Sequence, residues 1–102
     1  MPNMGIYTDA LFTKSQQRVL AVLFGQPQRS FYANEIIALA GGGSGAVQRE
    51  LAKLADAGLI KSLRIGNQKH YQANADSPIY AELRGIVLKT FGLAEVFRAA
   101  LV

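Results

Sequence analysis

Four of the five residues from Gly41 to Gly45 are glycine, and helical apolar spacing runs up to them and resumes directly after them. So short a break between two helical segments suits a tight turn, because glycines are enriched where two helices meet at a steep angle. A flexible linker fails on length, since Val47, Leu51, Leu54 and Ala55 restore the helical period at once. A phosphate-binding loop needs a strand before the glycines and Lys-Ser/Thr after them, and both are missing. The chain is therefore organised around two helices and a turn, from Asn34 to Leu59.

The flanking segments read as support for this unit. Val19, Leu20, Val22 and Leu23, with Phe12 upstream, predict a helix over 13–24 capped by Thr13 or Ser15 and stopped by Gly25, Gln26 and Pro27. Ser30 to Tyr32 is aromatic and short, fit for a small strand or the lead into the next helix. That helix carries Ile36, Ile37, Leu39 and Ala40 on one face and ends at Gly41. On the helix after the glycines, Val47, Leu51 and Leu54 cluster on one side. Gly45, Arg49, Ala52, Lys53 and Asp56 fall opposite, with Gln48 at the flank. An ordinary solvated face is the plain reading of such a surface.

Gly58 closes that helix, and runs at 59–65 and 68–73 follow around Gly66-Asn67, a two-residue hairpin signal. Alternation places Leu59, Leu63 and Ile65 on one face, expected to be buried. Arg64, Asn67, Gln68, Lys69 and His70 gather at or near the tip. Between Ser44 and Tyr71 stand Arg49, Lys53, Lys61, Arg64 and Lys69 against Glu50 and Asp56, a local excess of three within a chain whose net charge is +4. The helix and hairpin together make a two-part basic surface, which suits a polyanionic partner.

Ser77-Pro78 reads as an N-cap with proline at the first helical position, opening a helix through Ile79, Leu83, Ile86, Val87 and Phe91, its apolar stripe widened by Tyr80. A last amphipathic stretch carries Leu93, Val96, Phe97 and Leu101. This C-terminal third is more apolar than capping a 102-residue domain requires, and self-association is the commonest use of such a surplus. The Ala-Ala-Leu-Val end reads as truncated before a further domain or buried in a dimer. Residues 1–12 are a loosely patterned lead-in with a short extended piece around Ile6 and Tyr7.

With 50% hydrophobic residues the chain should fold, and its length fits one domain. The absence of cysteine excludes disulfides, iron–sulfur clusters and thiolate metal sites. No paired carboxylates, nucleophile–base set or metal constellation is visible, so neither catalysis nor a cofactor is expected. The N-terminus lacks the basic and apolar regions of a signal peptide, and no apolar window approaches the ~20 residues of a membrane span. The expectation is a soluble cytoplasmic protein.

The phrase SGAVQRELAKLADAGLIKSLRIGNQKHYQAN, Ser44 to Asn74, with FYANEIIALAG ahead of it, resembles the ArsR-like winged helix-turn-helix regulators. The likeness lies in Val-x-Arg-x-Leu, Ala-Gly-Leu and a Gly-centred basic hairpin ending in Tyr-x-x-Asn. The Gly-Ala-Val-Gln-Arg-Glu-Leu run and the tail SPIYAELRGIVLKTFGLAEVF resemble, more narrowly, the N-terminal domains found ahead of minimal nucleotidyltransferase domains. The resemblance implies a mainly α fold with a small β-hairpin wing. It divides the chain into the lead-in 1–12, a DNA-binding winged helix-turn-helix over 13–75, and C-terminal helices over 76–102 for dimerisation. It implies a recognition helix, 44–58, in the DNA major groove and a wing, 59–73, on backbone or minor groove.

Carried over residue by residue, Ser44, Gly45, Gln48 and Arg49 match the start of the recognition helix, and Arg64, Asn67, Gln68 and Lys69 match the wing. Lys53 joins them as a phosphate contact. The expected partners are double-stranded DNA and a second copy of the chain. Metal sensing, known in this family through Cys and His ligands in paired sites, is not expected with no cysteine and the single histidine His70. Gly43-Ser44 lacks the following acidic pair of a nucleotidyltransferase, so any such catalytic domain would lie beyond Val102. A protein-docking module is the alternative, since winged helices also serve that use.

Overall fold

A computed structural model describes residues 4–92. Its elements are α1 (Met4–Leu11), α2 (Lys14–Gly25), β1 (Phe31–Tyr32), α3 (Ala33–Ala40), α4 (Ser44–Asp56), β2 (Ile60–Ile65), β3 (Gln68–Ala73) and α5 (Tyr80–Val87). The last of these runs on into a π-helical turn at Leu88–Gly92. The three strands form one antiparallel sheet in the order β1-β3-β2, with Phe31 opposite Tyr71 and Ile60 opposite Ala73. The mainly helical fold with its small wing is the one the sequence implied.

α2 is the central element. Thr13 caps it with a full capping box: the Thr13 hydroxyl accepts from the Gln16 N–H at 3.2 Å, and the Gln16 side chain accepts from the Thr13 N–H at 2.9 Å. Val19, Leu20, Leu23 and Phe24 then meet Ile36 of α3, Val47 and Leu51 of α4, Phe31 and Tyr71 of the sheet, and Leu83 and Val87 of α5 in one core. The helix ends at Gly25 with Gln26 as its C-cap at φ −133°, and Gly25 takes no left-handed conformation there.

The left-handed conformation is used instead on both sides of α4. Gly41 and Gly42 take φ of +72° and +93°, which turns the chain from α3 into α4. After α4, Gly58 at φ +78° sits in a Schellman motif, its N–H donating to the Ala55 carbonyl while the Leu59 N–H donates to the Leu54 carbonyl, both at 3.0 Å. α4 is thus held between two glycine turns.

Four local expectations are corrected. The stretch around Ile6 and Tyr7 is helical, not extended, and α1 is stitched to α2 by Gln17, whose amide donates to the carbonyls of Thr8 and Phe12 and to the Asp9 carboxylate. On α3 only Ile36 is fully buried, whereas Leu39 faces solvent, because this two-turn helix touches the core along one narrow line. α5 begins at Tyr80: the Tyr80 N–H donates to the Ser77 carbonyl, closing a separate turn, and Ile79 at φ −111° stands outside the helix. The hairpin buries the opposite alternation from the one expected, with Ile60, Tyr71 and Ala73 inward and Leu63 and Ile65 outward. The final amphipathic stretch, Leu93 onward, lies outside the described residues.

Candidate nucleic-acid interface

Packing against α2 and β2 leaves α4 a long outward face, with Val47, Leu51 and Leu54 buried and Gly45, Gln48, Arg49, Ala52, Lys53 and Asp56 exposed. Ser44 opens the helix after Gly43, which supplies no side-chain cap, so the first-turn N–H groups stay open to an outside acceptor. Gly45 has a visible use: a Cβ built on it would lie 3.5 Å from Arg49 Nη1, so the guanidinium lies back along the helix over this glycine. The Arg49 fork is thereby carried toward the helix N-terminus.

The wing is anchored at its base and free at its tip. The Asn74 amide donates to the Gly58 carbonyl at 2.8 Å, and its N–H to the Leu59 carbonyl at 3.1 Å, clamping the end of β3 to the end of α4. The Gln72 amide donates to the Pro27 carbonyl at 3.1 Å on the other flank. The Tyr-x-x-Asn phrase is therefore structural, with Tyr71 in the core and Asn74 at the clamp. At the tip, Ile65 pairs with Gln68 across Gly66-Asn67, and Gly66 at φ +62° with no positive φ at Asn67 defines a type II′ turn.

Arg64 and Lys69 stand opposite each other and share the face that carries Ile60 and Tyr71. Nearer the base this face covers the core; at the tip it is exposed and carries two like charges side by side, an arrangement unfavourable without a neutralising partner. The Lys69 ammonium lies 5.6 Å from the Tyr71 ring centroid. Gln68 falls on the other face, with Leu63 and Ile65, and Asn67 sits in the turn. The structure thus brings Arg64 and Lys69 together and separates Gln68 from them.

One cation was not foreseen in the sequence. Arg18 of α2 is exposed, and its Nη1 would be 2.9 Å from a Cβ at Gly42, so its guanidinium lies against the turn that leads into α4. Nothing in the local pattern marks Arg18, because its neighbour belongs to another helix. Among the described residues Arg18, Arg49, Lys53, Arg64 and Lys69 make no ion pair, whereas Lys14 pairs with Asp9 and Arg29 with Glu35. His70 packs its ring edge-on to Tyr32, centroids 5.8 Å apart. Among the described residues no three His, Cys, Asp or Glu side chains converge to hold a metal ion, and no helix is long and apolar enough to cross a membrane.

No protein-family model and no curated protein matches the chain. Among solved structures it is similar to the AntR antimony-specific transcriptional repressor, with a TM-score of 0.58 over 95% of this chain and 79% of that one, at 21% identity. The fold is a winged helix. At 21% identity the likeness speaks to the fold alone.

Proposed function

We propose that the chain is a DNA-binding transcriptional regulator that acts as a homodimer. The observation that carries this reading is the set of cations on the outward face of α4 and on one face of the wing tip, exposed and without an ion pair among the described residues, held in fixed relation by the Asn74 clamp. α4, with the turn to Gly58, enters the major groove, where the Arg49 fork pairs with guanine and the Gln48 amide with adenine. Gly45 and Ala52 let the groove wall come close. Ser44 and Lys53, with Arg64 and Lys69 of the wing, meet phosphates and set register; Asn67 and Gln68 flank that contact.

Pairing of two copies uses the C-terminal helices, 76–102, joined by α1. Ile6, Tyr7 and Leu11 on α1 and Ile79 and Ile86 around α5 are large exposed apolar residues, which supports this surface. Two recognition helices then meet half-sites about one turn of DNA apart, on a roughly palindromic operator. A cytoplasmic place follows from this role. A nucleotidyltransferase context draws no support from the structural likeness.

The test is an anisotropy titration against a random duplex pool, with the retained duplexes sequenced, repeated over a salt series. Log K is expected to fall with log salt at a slope of about −0.9 per phosphate contact. Arg49→Ala should relax preference at one base position by about 1–3 kcal/mol, while Lys69→Ala should weaken all sequences alike and reduce the slope by about one. Salt-insensitive binding, or affinity untouched by both substitutions, would defeat the reading. A partner protein that binds unchanged after Arg49→Ala and Arg64→Ala would favour docking in its place.

A further inference from the structure

The proposed DNA surface draws all its cations from α4 and the wing, yet the structure sets a further guanidinium beside them from a different helix. Arg18 stands on α2 between residues that fix its backbone: the Gln17 amide donates to the Thr8 and Phe12 carbonyls, and Val19 and Leu20 are buried. Its own side chain is exposed and crosses to the turn before α4, where it lies over Gly42. A Cβ at Gly42 would stand 2.9 Å from Arg18 Nη1, so any side chain there would push the guanidinium off its seat. The backbone asks for glycine as well, at φ +93°. The bare turn thus serves two ends: it swings the chain into α4 and leaves room for a cation from α2.

At Gly45, the guanidinium of Arg49 is laid over a glycine in the same way, its Nη1 3.5 Å from the Cβ position. Two guanidiniums therefore gather at one end of α4, one from the helix itself and one from its neighbour. Neither pairs with a carboxylate among the described residues. Like charges gathered and left unneutralised favour a polyanion over a neutral or cationic partner. Their places differ, however. Arg49 belongs to the outward face of α4 and goes where that helix goes, whereas Arg18 lies outside the helix, at the turn. When a helix of this kind reads base edges, the helix behind it crosses the backbone, so a cation from α2 faces phosphate and not bases.

We propose that Arg18 is a further DNA contact, a phosphate-binding arm that reaches from α2 across Gly42 to the backbone beside the end by which the chain enters α4. The wing is joined to the other end of the same helix, where Asn74 holds Gly58. The duplex is then held beside both ends of α4, which fixes the register in which Arg49 meets its base. This contact rests on the DNA reading and brings into it a helix from which that reading takes no residue.

The experiment uses the full chain and the duplex that the random pool yields. Arg18→Gln should weaken binding to that duplex and to an unrelated one alike, by about two- to fivefold, the scale of an exposed ion contact. It should also lower the salt slope by about 0.9. Arg18→Lys, which keeps the charge without the flat guanidinium, should recover the slope, and both variants should melt with the wild type. Replacing one phosphate at a time by a neutral methylphosphonate locates the contact. One position should cost the wild-type chain affinity, cost Arg18→Gln none, and still cost Lys69→Ala. Unchanged affinity and slope in Arg18→Gln, or no phosphate to which that variant alone is blind, would overturn the contact and leave the DNA reading standing. A slope that Arg18→Lys fails to recover, with a lower melting temperature, would make Arg18 a brace for the turn and overturn it as well. A wild-type chain that ignores DNA would instead refute the proposed function, and this contact with it.

Discussion

α4 and the wing follow each other directly and were both read from apolar periodicity, yet the structure treats them differently. α4 lies against the body along its whole length, so every large apolar residue of its wheel, Val47, Leu51 and Leu54, is buried. The hairpin leaves the body after its base. Ile60, Tyr71 and Ala73 are buried there, while further out the inward face becomes Arg64 and Lys69 and the outward face bears Leu63 and Ile65. Periodicity reports burial only where an element stays in contact with the core. Past that point it reports which residues share a face, and the chemistry of the face must be read separately.

The strongest way to break this contrast is to truncate one residue of each kind. Leu51, fully buried, should cost about 2–5 kcal/mol as Leu51→Ala, through lost burial and the cavity left behind. Ile65→Ser, at a position 53% exposed, should cost under about 0.5 kcal/mol. Urea unfolding of the two variants decides it; similar losses would mean that the wing tip is packed in solution.

Next in size is the junction between the two regions. Gly58→Ala forces a side chain into the left-handed conformation that closes α4, and should destabilise by about 1–2 kcal/mol. Because this turn also accepts the Asn74 amide, Asn74→Ala should loosen the wing relative to α4, measured as faster amide exchange in β3 with α4 little changed.

Smaller still is the like-charged pair at the tip. Lys69→Glu turns an unfavourable cross-strand pair with Arg64 into a favourable one, worth about 0.2–1 kcal/mol of stability, while removing a cation from the proposed DNA surface. A gain in thermal stability together with weaker DNA binding is expected. A loss of both would place Lys69 in the fold instead of at the interface.

The smallest expected effect concerns neither region and serves as a baseline. The Gln17 amide and the Lys14 ammonium hold the Asp9 carboxyl below its ordinary value. Its contribution is therefore present above the unfolded-state value and is lost as pH falls through the lowered folded one. Asp9→Asn should flatten the acid end of the stability curve slightly, as seen in melting temperatures between neutral pH and the acid limit, and leave α4 and wing untouched.

Much of this molecule is legible in its sequence because the information is local. The capped α2, the glycine turn, the buried side of α4, the Gly58 stop and the two-residue hairpin each rest on residues within one or two turns of one another. The outward placement of Ser44, Gln48, Arg49 and Lys53 follows from the same wheel. Other features depend on contacts between distant segments. The helical state of residues 4–11 rests on Gln17 of another helix. The face of the hairpin that is buried was decided by β1 and α2 meeting Tyr71. Arg18 reaches the turn before α4 only because α2 crosses beside Gly42. The sequence by itself determined the elements and their amphipathic sides, through short-range sterics and periodic burial. Tertiary packing alone decided which surfaces meet, because a contact between residues tens of positions apart leaves no periodic trace in either segment.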